Sequence, residues 1–150
     1  MRRNSQLSGV LHVLLHMAEH DRPSTSEELA RAMTTNPVVV RRILGGLREA
    51  GLVASEKGHG GGWMIARPLE DITMLQVHEA LGTAELLAIG NRTTAPSCLV
   101  EQAVNNALGA VFDQAEAVLK AGFGAVTLAM LRQDFHAGMA ARLQETTHAH

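Results

Sequence analysis

Apolar residues recur at helical spacing from the start of the chain. Leu7, Val10, Leu11, Leu14, Leu15 and Ala18 fall at steps of three and four, one stripe of an amphipathic helix. Asp21-Arg22-Pro23 stops it. Thr25-Ser26-Glu27-Glu28 then has the form of a capping box, in which Thr25 accepts from an early backbone N–H and Glu28 reaches back. The short helix it opens turns Leu29, Ala30 and Met33 inward. Thr34-Thr35-Asn36-Pro37 closes that helix and starts a third, with Asn36 as cap and Pro37 at the first helical position. The third helix runs to about Ala50, and Gly51 is placed to end it in a left-handed conformation.

At about 100° per residue, Val40, Ile43, Leu44 and Leu47 share the inner face of this third helix. Thr35, Val38, Arg42, Gly45 and Glu49 lie on the opposite face, with Arg41 on the flank. Gly45 and Gly46 each cost about 1 kcal/mol relative to Ala inside a helix. Gly45, facing out, removes a side chain that would hold the backbone away from a groove wall. Gly46 lies nearer the buried edge, where tight packing against a neighbouring helix serves equally well. Leu52–Ser55 then reads as a strand, Glu56–Gly62 as a glycine-rich loop, and Trp63–Ala66 as the return strand before Arg67-Pro68. Three helices followed by a two-stranded hairpin is the order of a winged helix-turn-helix, whose third helix enters the major groove.

The second half holds a short helix over about Thr73–Leu81, a loop through Gly90–Thr94, and a long helix over about Pro96–Lys120. Along the long helix Val100, Val104, Ala107, Val111, Ala115 and Val118 recur at steps of three and four. Leu99, Ala103, Leu108, Phe112 and Leu119 widen that stripe. So broad a face needs two partners, its own domain and a symmetry mate in an isologous contact. A last helix over about Val126–Leu143 closes the fold, and Glu145–His150 is expected to fray. The expected fold is mainly α with a small β-hairpin: a winged helix-turn-helix over 1–82, and a dimerisation or sensor region over 83–150, joined as one compact unit.

Composition agrees. The chain has 150 residues, 46% of them hydrophobic, with no Tyr, one Trp and three Phe. A core of Leu, Val, Ile, Ala and Met suits helix-on-helix packing better than a β-sandwich. No apolar run approaches the ~18 residues of a membrane span, and the periodic start does not resemble a signal peptide. A single cysteine, Cys98, excludes an internal disulfide framework and fits a reducing cytosol, so a cytoplasmic protein is expected. The net charge of −2 hides an asymmetry: residues 1–70 carry nine Lys and Arg against seven Asp and Glu, and residues 71–150 four against eight. The basic side chains gather where a phosphate-binding surface is expected.

The residues expected to meet DNA are Thr34, Thr35, Asn36, Val38, Arg41 and Arg42, with Lys57 and His59 on the wing and Arg2 and Arg3 at the N-terminus. Arg42 suits a guanine edge and Val38 a thymine methyl. Thr34, Thr35 and the start of the third helix offer hydroxyls and free N–H groups to phosphate. Arg48 is expected on the solvated flank. Gly58-His59-Gly60-Gly61-Gly62 lacks the Lys-Ser/Thr and the helix of a P-loop, so its glycines serve a hairpin or close approach to the sugar–phosphate backbone.

Two features point elsewhere. His16-Met17-Ala18-Glu19-His20 has the H-x-x-E-H form of inverted zinc proteases, without an evident third ligand. His12, His16 and His20 share a face at four-residue spacing, which allows metal binding; boundary histidines also fall this way. Cys98 is expected in the first turn of the long helix, capped by Thr94 or Ser97, where a helix N-terminus favours thiolate and hence redox sensing. A buried, inert cysteine is the commoner case.

Asn36-Pro37-Val38-Val39-Val40-Arg41-Arg42-Ile43-Leu44-Gly45-Gly46-Leu47-Arg48-Glu49-Ala50-Gly51-Leu52-Val53 resembles the Rrf-two family, the winged helix-turn-helix transcriptional regulators of IscR, NsrR and CymR type. The likeness continues through Gly58–Pro68 and Ile72–Val77, covers about residues 5–135, and is most specific in the winged domain. It implies a homodimer joined through the long helix that represses promoters in response to a cellular signal. Many relatives hold an iron–sulfur cluster on three cysteines; here Cys98 resembles the third, and Gly90–Ser97 contains no other. A cluster needs a full ligand set, so no cofactor is expected, and the chain is similar to the branch without the triad. The reading is a DNA-binding regulator, not an enzyme, on a pseudo-palindromic operator. Its alternatives are a redox- or metal-responsive variant using Cys98 or the first-helix histidines, a zinc hydrolase on His16, Glu19 and His20, and a winged domain that contacts only protein.

Overall fold

The structure, a computed structural model, describes residues 5–82, 86 and 97–148. Arg2, Arg3 and the loop through Gly90–Thr94 lie outside them. Three helices come first: α1 (Ser5–Ala18), α2 (Ser26–Ala32) and α3 (Pro37–Glu49). The hairpin β1 (Val53–Glu56) and β2 (Gly62–Ile65) follows, then a 3-10 turn at Leu69–Asp71 and α4 (Met74–Ala80). The chain ends in α5 (Leu99–Ala125) and α6 (Leu128–His148).

Local chemistry sets most of these limits. The Thr25 hydroxyl accepts from the Glu28 N–H (3.2 Å) and the Glu28 carboxylate from the Thr25 N–H (2.9 Å), completing the capping box. Thr73 and Gln76 repeat the device at α4. Gly51, at φ +74°, closes α3: its N–H bonds the Arg48 carbonyl and the Leu52 N–H bonds that of Leu47, a Schellman motif. Arg67 completes this end, its guanidinium donating to the Ala50 and Gly51 carbonyls, each at 3.0 Å. β1 and β2 pair antiparallel in the register Val53 to Ile65 and Glu56 to Gly62. Ser24 adds a single bridge to Trp63, whose indole N–H donates to the buried Ser26 hydroxyl at 3.0 Å.

The core lies where α1, α3, the hairpin and α4 meet, and Leu14, Leu44, Leu47, Leu52 and Ile72 are fully buried there. On α1 the buried face is Val10, Val13, Leu14 and Met17, with Leu7 and Leu11 packed at its edge. It is turned from the expected stripe because α1 is covered by β2, α4 and α6 together. Leu128, at the start of α6, is as buried as any residue of the winged domain. Its N–H bonds the Ile72 carbonyl and the Met74 N–H bonds that of Val126, both at 2.9 Å, so the Thr73–Thr127 bridge stitches the C-terminal segment to the head of α4.

The long helix departs from the expected 96–120. It begins at Leu99 and runs on through Gly122 and Gly124, ending only where Val126 becomes extended to meet Met74. At 1.5 Å per residue it spans roughly 40 Å, and none of its residues is buried. Its far end packs on α4, with the Phe123 and His78 rings 6.5 Å apart. Much of its apolar stripe is exposed, Val100 at 72% and Val111 at 60%, while Phe112, Ala115 and Leu119 are half-buried. The last helix starts at Leu128 and continues to His148, past the expected Leu143.

Candidate nucleic-acid interface

The turn between α2 and α3 is built on Thr34, the one non-glycine with positive φ (53°) among the described residues. Its N–H bonds the Arg31 carbonyl and the Thr35 N–H that of Ala30, again a Schellman closure, here on a β-branched residue that adopts this conformation at a cost. The Asn36 carboxamide oxygen then accepts from the Val38 and Val39 N–H groups at 3.0 and 3.1 Å. Capping thus occupies the Asn36 oxygen, and its NH₂ is what remains for a ligand. Thr34, Thr35 and Asn36 are all exposed.

From this start α3 buries Val40, Ile43, Leu44 and Leu47 and turns Val38, Arg41 and Arg42 to solvent. Val38 is 67% exposed. Arg41 and Arg42 differ. The Arg41 guanidinium lies 3.7 Å from the Glu27 carboxylate, whereas Arg42 has no ion-pair or hydrogen-bond partner among the described residues. The two mid-helix glycines differ as well. A Cβ at Gly45 meets nothing within 4 Å, so the outer face there is bare backbone. At Gly46 a Cβ stands 2.9 Å from the Ala80 carbonyl oxygen, so that glycine admits the close crossing of α4.

The wing tip carries Lys57 and His59, both exposed. Gly58 and Gly60 hold φ of +99° and +77°, and a Cβ on Gly61 collides with the Glu56 carbonyl, so the turn itself needs its glycines. Between the wing and the head of α2 lies an open groove of about 290 Å³, lined by Glu27, Lys57 and Trp63 and, from α3, by Arg41. Arg48, expected on the solvated flank, instead donates to the Ser55 hydroxyl at 3.0 Å and lies 5.8 Å from the Trp63 ring centroid. It braces the wing against α3; only the residue type, an arginine seven positions before Ser55, hinted at this. The structure thus gathers Thr34, Thr35, Asn36, Val38, Arg41 and Arg42 on one exposed turn and helix face, with Lys57 beside them. Arg2 and Arg3 are outside the described residues.

The remaining candidates lie apart. Cys98 is exposed and is itself the N-cap of α5, not a first-turn residue capped by Thr94 or Ser97, because the helix begins at Leu99 rather than about Pro96. The Glu101 and Val100 backbone N–H groups hold its thiol below the ordinary range. In the H-x-x-E-H segment, the Glu19 carboxylate is taken by Arg132 (2.7 Å) and His136 (2.9 Å) of α6, and these hydrogen bonds keep it below the usual carboxylate range. His16 faces His12. Among the described residues no three of His, Cys, Asp and Glu gather to hold a metal ion.

Residues 3–134 match the family model described as "Rrf2: Iron-dependent Transcriptional regulator". The chain belongs to the Rrf2 family. A curated relative, YwnA of Bacillus subtilis (strain 168), named as an HTH-type transcriptional regulator, is 32% identical over 117 residues, 78% of this chain and 86% of that one. Among solved structures, a protein named as a transcriptional regulator from Lactobacillus plantarum superposes with a TM-score of 0.72 at 23% identity, covering 95% of this chain and 98% of its own. IscR of T. potens gives a TM-score of 0.66 at 19% identity, over 89% and 88%. These structures share the fold, and the family supplies the function: a transcriptional regulator with a DNA-binding winged helix, not an enzyme. No helix among the described residues is long and apolar enough to cross a membrane.

The family description speaks of iron, and the donors of this Rrf2 chain do not fit a thiolate-held centre. It has one cysteine, exposed at the tip of α5. One thiolate leaves a cluster without most of its ligands.

Proposed function

We propose that this Rrf2 chain is a sequence-specific repressor that works in the cytoplasm as a homodimer on a pseudo-palindromic operator, without a resident cluster or other cofactor. Residues 1–82 bind DNA and residues 83–150 join the protomers. The observation that carries the reading is the outer face of α3, where an unpartnered Arg42 and a bare Gly45 backbone lie one turn apart beside the exposed Val38. Water gives no reason for that combination; a base-pair edge does. Arg42 reads a base, Val38 touches a thymine methyl, and Thr34, Thr35, Asn36, Arg41, Lys57, His59, Arg2 and Arg3 set position on phosphates. The exposed stripe of α5 supports the dimer, since 27 helical residues with no buried member need a cover. Half-sites then lie about 34–36 Å apart, or a multiple of it.

The test is Arg42→Ala on an operator found by genome-wide footprinting of bound promoters. Specific binding weakens by about 1–3 kcal/mol and selectivity relaxes at one base position. Equal losses on operator and random DNA would remove Arg42 from base readout. An exposed Cys98 with a depressed thiol favours redox input at the root of the dimer helix as a second reading; oxidation that changes operator affinity in the parent, but not in Cys98→Ser, supports it.

A further inference from the structure

We propose that His12 and His16 form a two-imidazole chelate for a divalent transition metal of the Cu(II) or Ni(II) type, on the outer face of α1. The two Nε2 atoms stand 2.8 Å apart, with ring centroids at 4.6 Å and planes inclined by 55°. Both rings are exposed and open to an ion from solvent. Their backbone is held from the other side, because Val10, Val13, Leu14 and Met17 pin α1 in the core. Four-residue spacing puts the rings one above the other, so both Nε2 atoms are within reach of a single ion.

The 2.8 Å contact is a ring N–H to ring N hydrogen bond, so one ion can take the place of the proton the two Nε2 atoms share. Imidazole pairs with other coordination positions left open suit Cu(II) and Ni(II). Among the described residues no third His, Cys, Asp or Glu joins them. His16 shares a small concavity with His20, Arg22 and Glu28, but both Glu28 oxygens are engaged, by Arg22 and the Thr25 N–H. The other positions on the metal therefore belong to water or to an exogenous ligand, and binding is exchangeable. The site does not depend on the DNA-binding reading.

Ni(II) and Cu(II) titrations of the untagged, full-length protein at neutral pH test the site. One ion binds per chain, and His12→Gln or His16→Gln each weakens that binding by about tenfold or more, as loss of one arm of a two-arm chelate does. His20→Gln leaves it unchanged. The Cu(II) paramagnetic resonance spectrum carries imidazole nitrogen coupling that the double variant lacks. The substituted positions are exposed, and an unchanged circular dichroism spectrum verifies the fold. Binding that survives both substitutions, or no binding by the parent protein, overturns the proposal and leaves the 2.8 Å contact as a hydrogen bond only.

Discussion

Gly45 and Gly46 are adjacent in sequence, yet their alanine variants are expected to move in opposite directions. A glycine inside a helix costs about 0.8–1.0 kcal/mol relative to alanine. At Gly45 a new Cβ has nothing within 4 Å, so Gly45→Ala recovers that amount in full. At Gly46 the Cβ falls 2.9 Å from the carbonyl oxygen of Ala80, a backbone atom at the end of α4 that cannot rotate aside. Either α3 or α4 must withdraw, and overpacking of this kind costs about 1–3 kcal/mol. After the gain in propensity, Gly46→Ala loses up to roughly 2 kcal/mol. The two variants differ by the overpacking cost of about 1–3 kcal/mol; for a chain of this size each kcal/mol shifts Tm by about 2–4 °C, so they separate by roughly 2–12 °C. Urea unfolding at one protein concentration, with equal m-values, reads the difference free of any dimer linkage. The same Gly45→Ala protein, though more stable, binds its operator less tightly, because the methyl sits where the helix meets the groove. A Gly46→Ala protein as stable as the Gly45→Ala protein would refute the described crossing of α3 and α4. A destabilised Gly45→Ala protein would refute the open outer face.

Two further outcomes follow from the same structure. Val111→Glu places two carboxylates in the seam of the proposed dimer, so sedimentation shifts toward monomer while the winged domain keeps its fold; an unchanged dimer would move the interface off α5. Arg22 holds the Glu28 carboxyl at about 2, against an ordinary 4.5. A depressed carboxyl stabilises the fold above its unfolded value, so this contribution is present above about pH 4.5 and fades as pH falls toward 2. Arg22→Ala should therefore flatten the acid limb of the stability profile, and an unaltered limb would count against the pairing.

What could be read in the sequence was local. The capping box at Thr25, the Asn36-Pro37 start of α3 and the Gly51 stop each carry their signal within four residues, and each stands where the pattern put it. So does the inner face of α3, whose period is unbroken from Val40 to Leu47. What the sequence withheld depends on distant partners. Leu128 joins the core because Thr127 pairs with Thr73, a bridge with no local signature. Glu19 meets Arg132 and His136 across more than a hundred residues, which turns a protease-like motif into a strut between α1 and α6. Arg48 is a surface arginine until the wing folds back and offers it Trp63 and Ser55. The ends of α5 were misplaced for the same reason: its stop is set by the bond from Met74 to Val126, and Gly122 and Gly124 do not break it. On α3 the residue types were legible, whereas the difference between Arg41 and Arg42 was not, since it rests on Glu27 of another helix.

Whether the exposed face of α3 and the wing lie on duplex DNA is decided by titrating the purified protein with duplex at low ionic strength and repeating the titration as salt is raised. Each phosphate neutralised contributes about −0.9 to the slope of log affinity against log salt. With Arg41, Lys57 and the N-terminal arginines contributed by both protomers, the protein is expected to associate with a slope steeper than about −5. No association at low salt, or an affinity indifferent to salt, would contradict it.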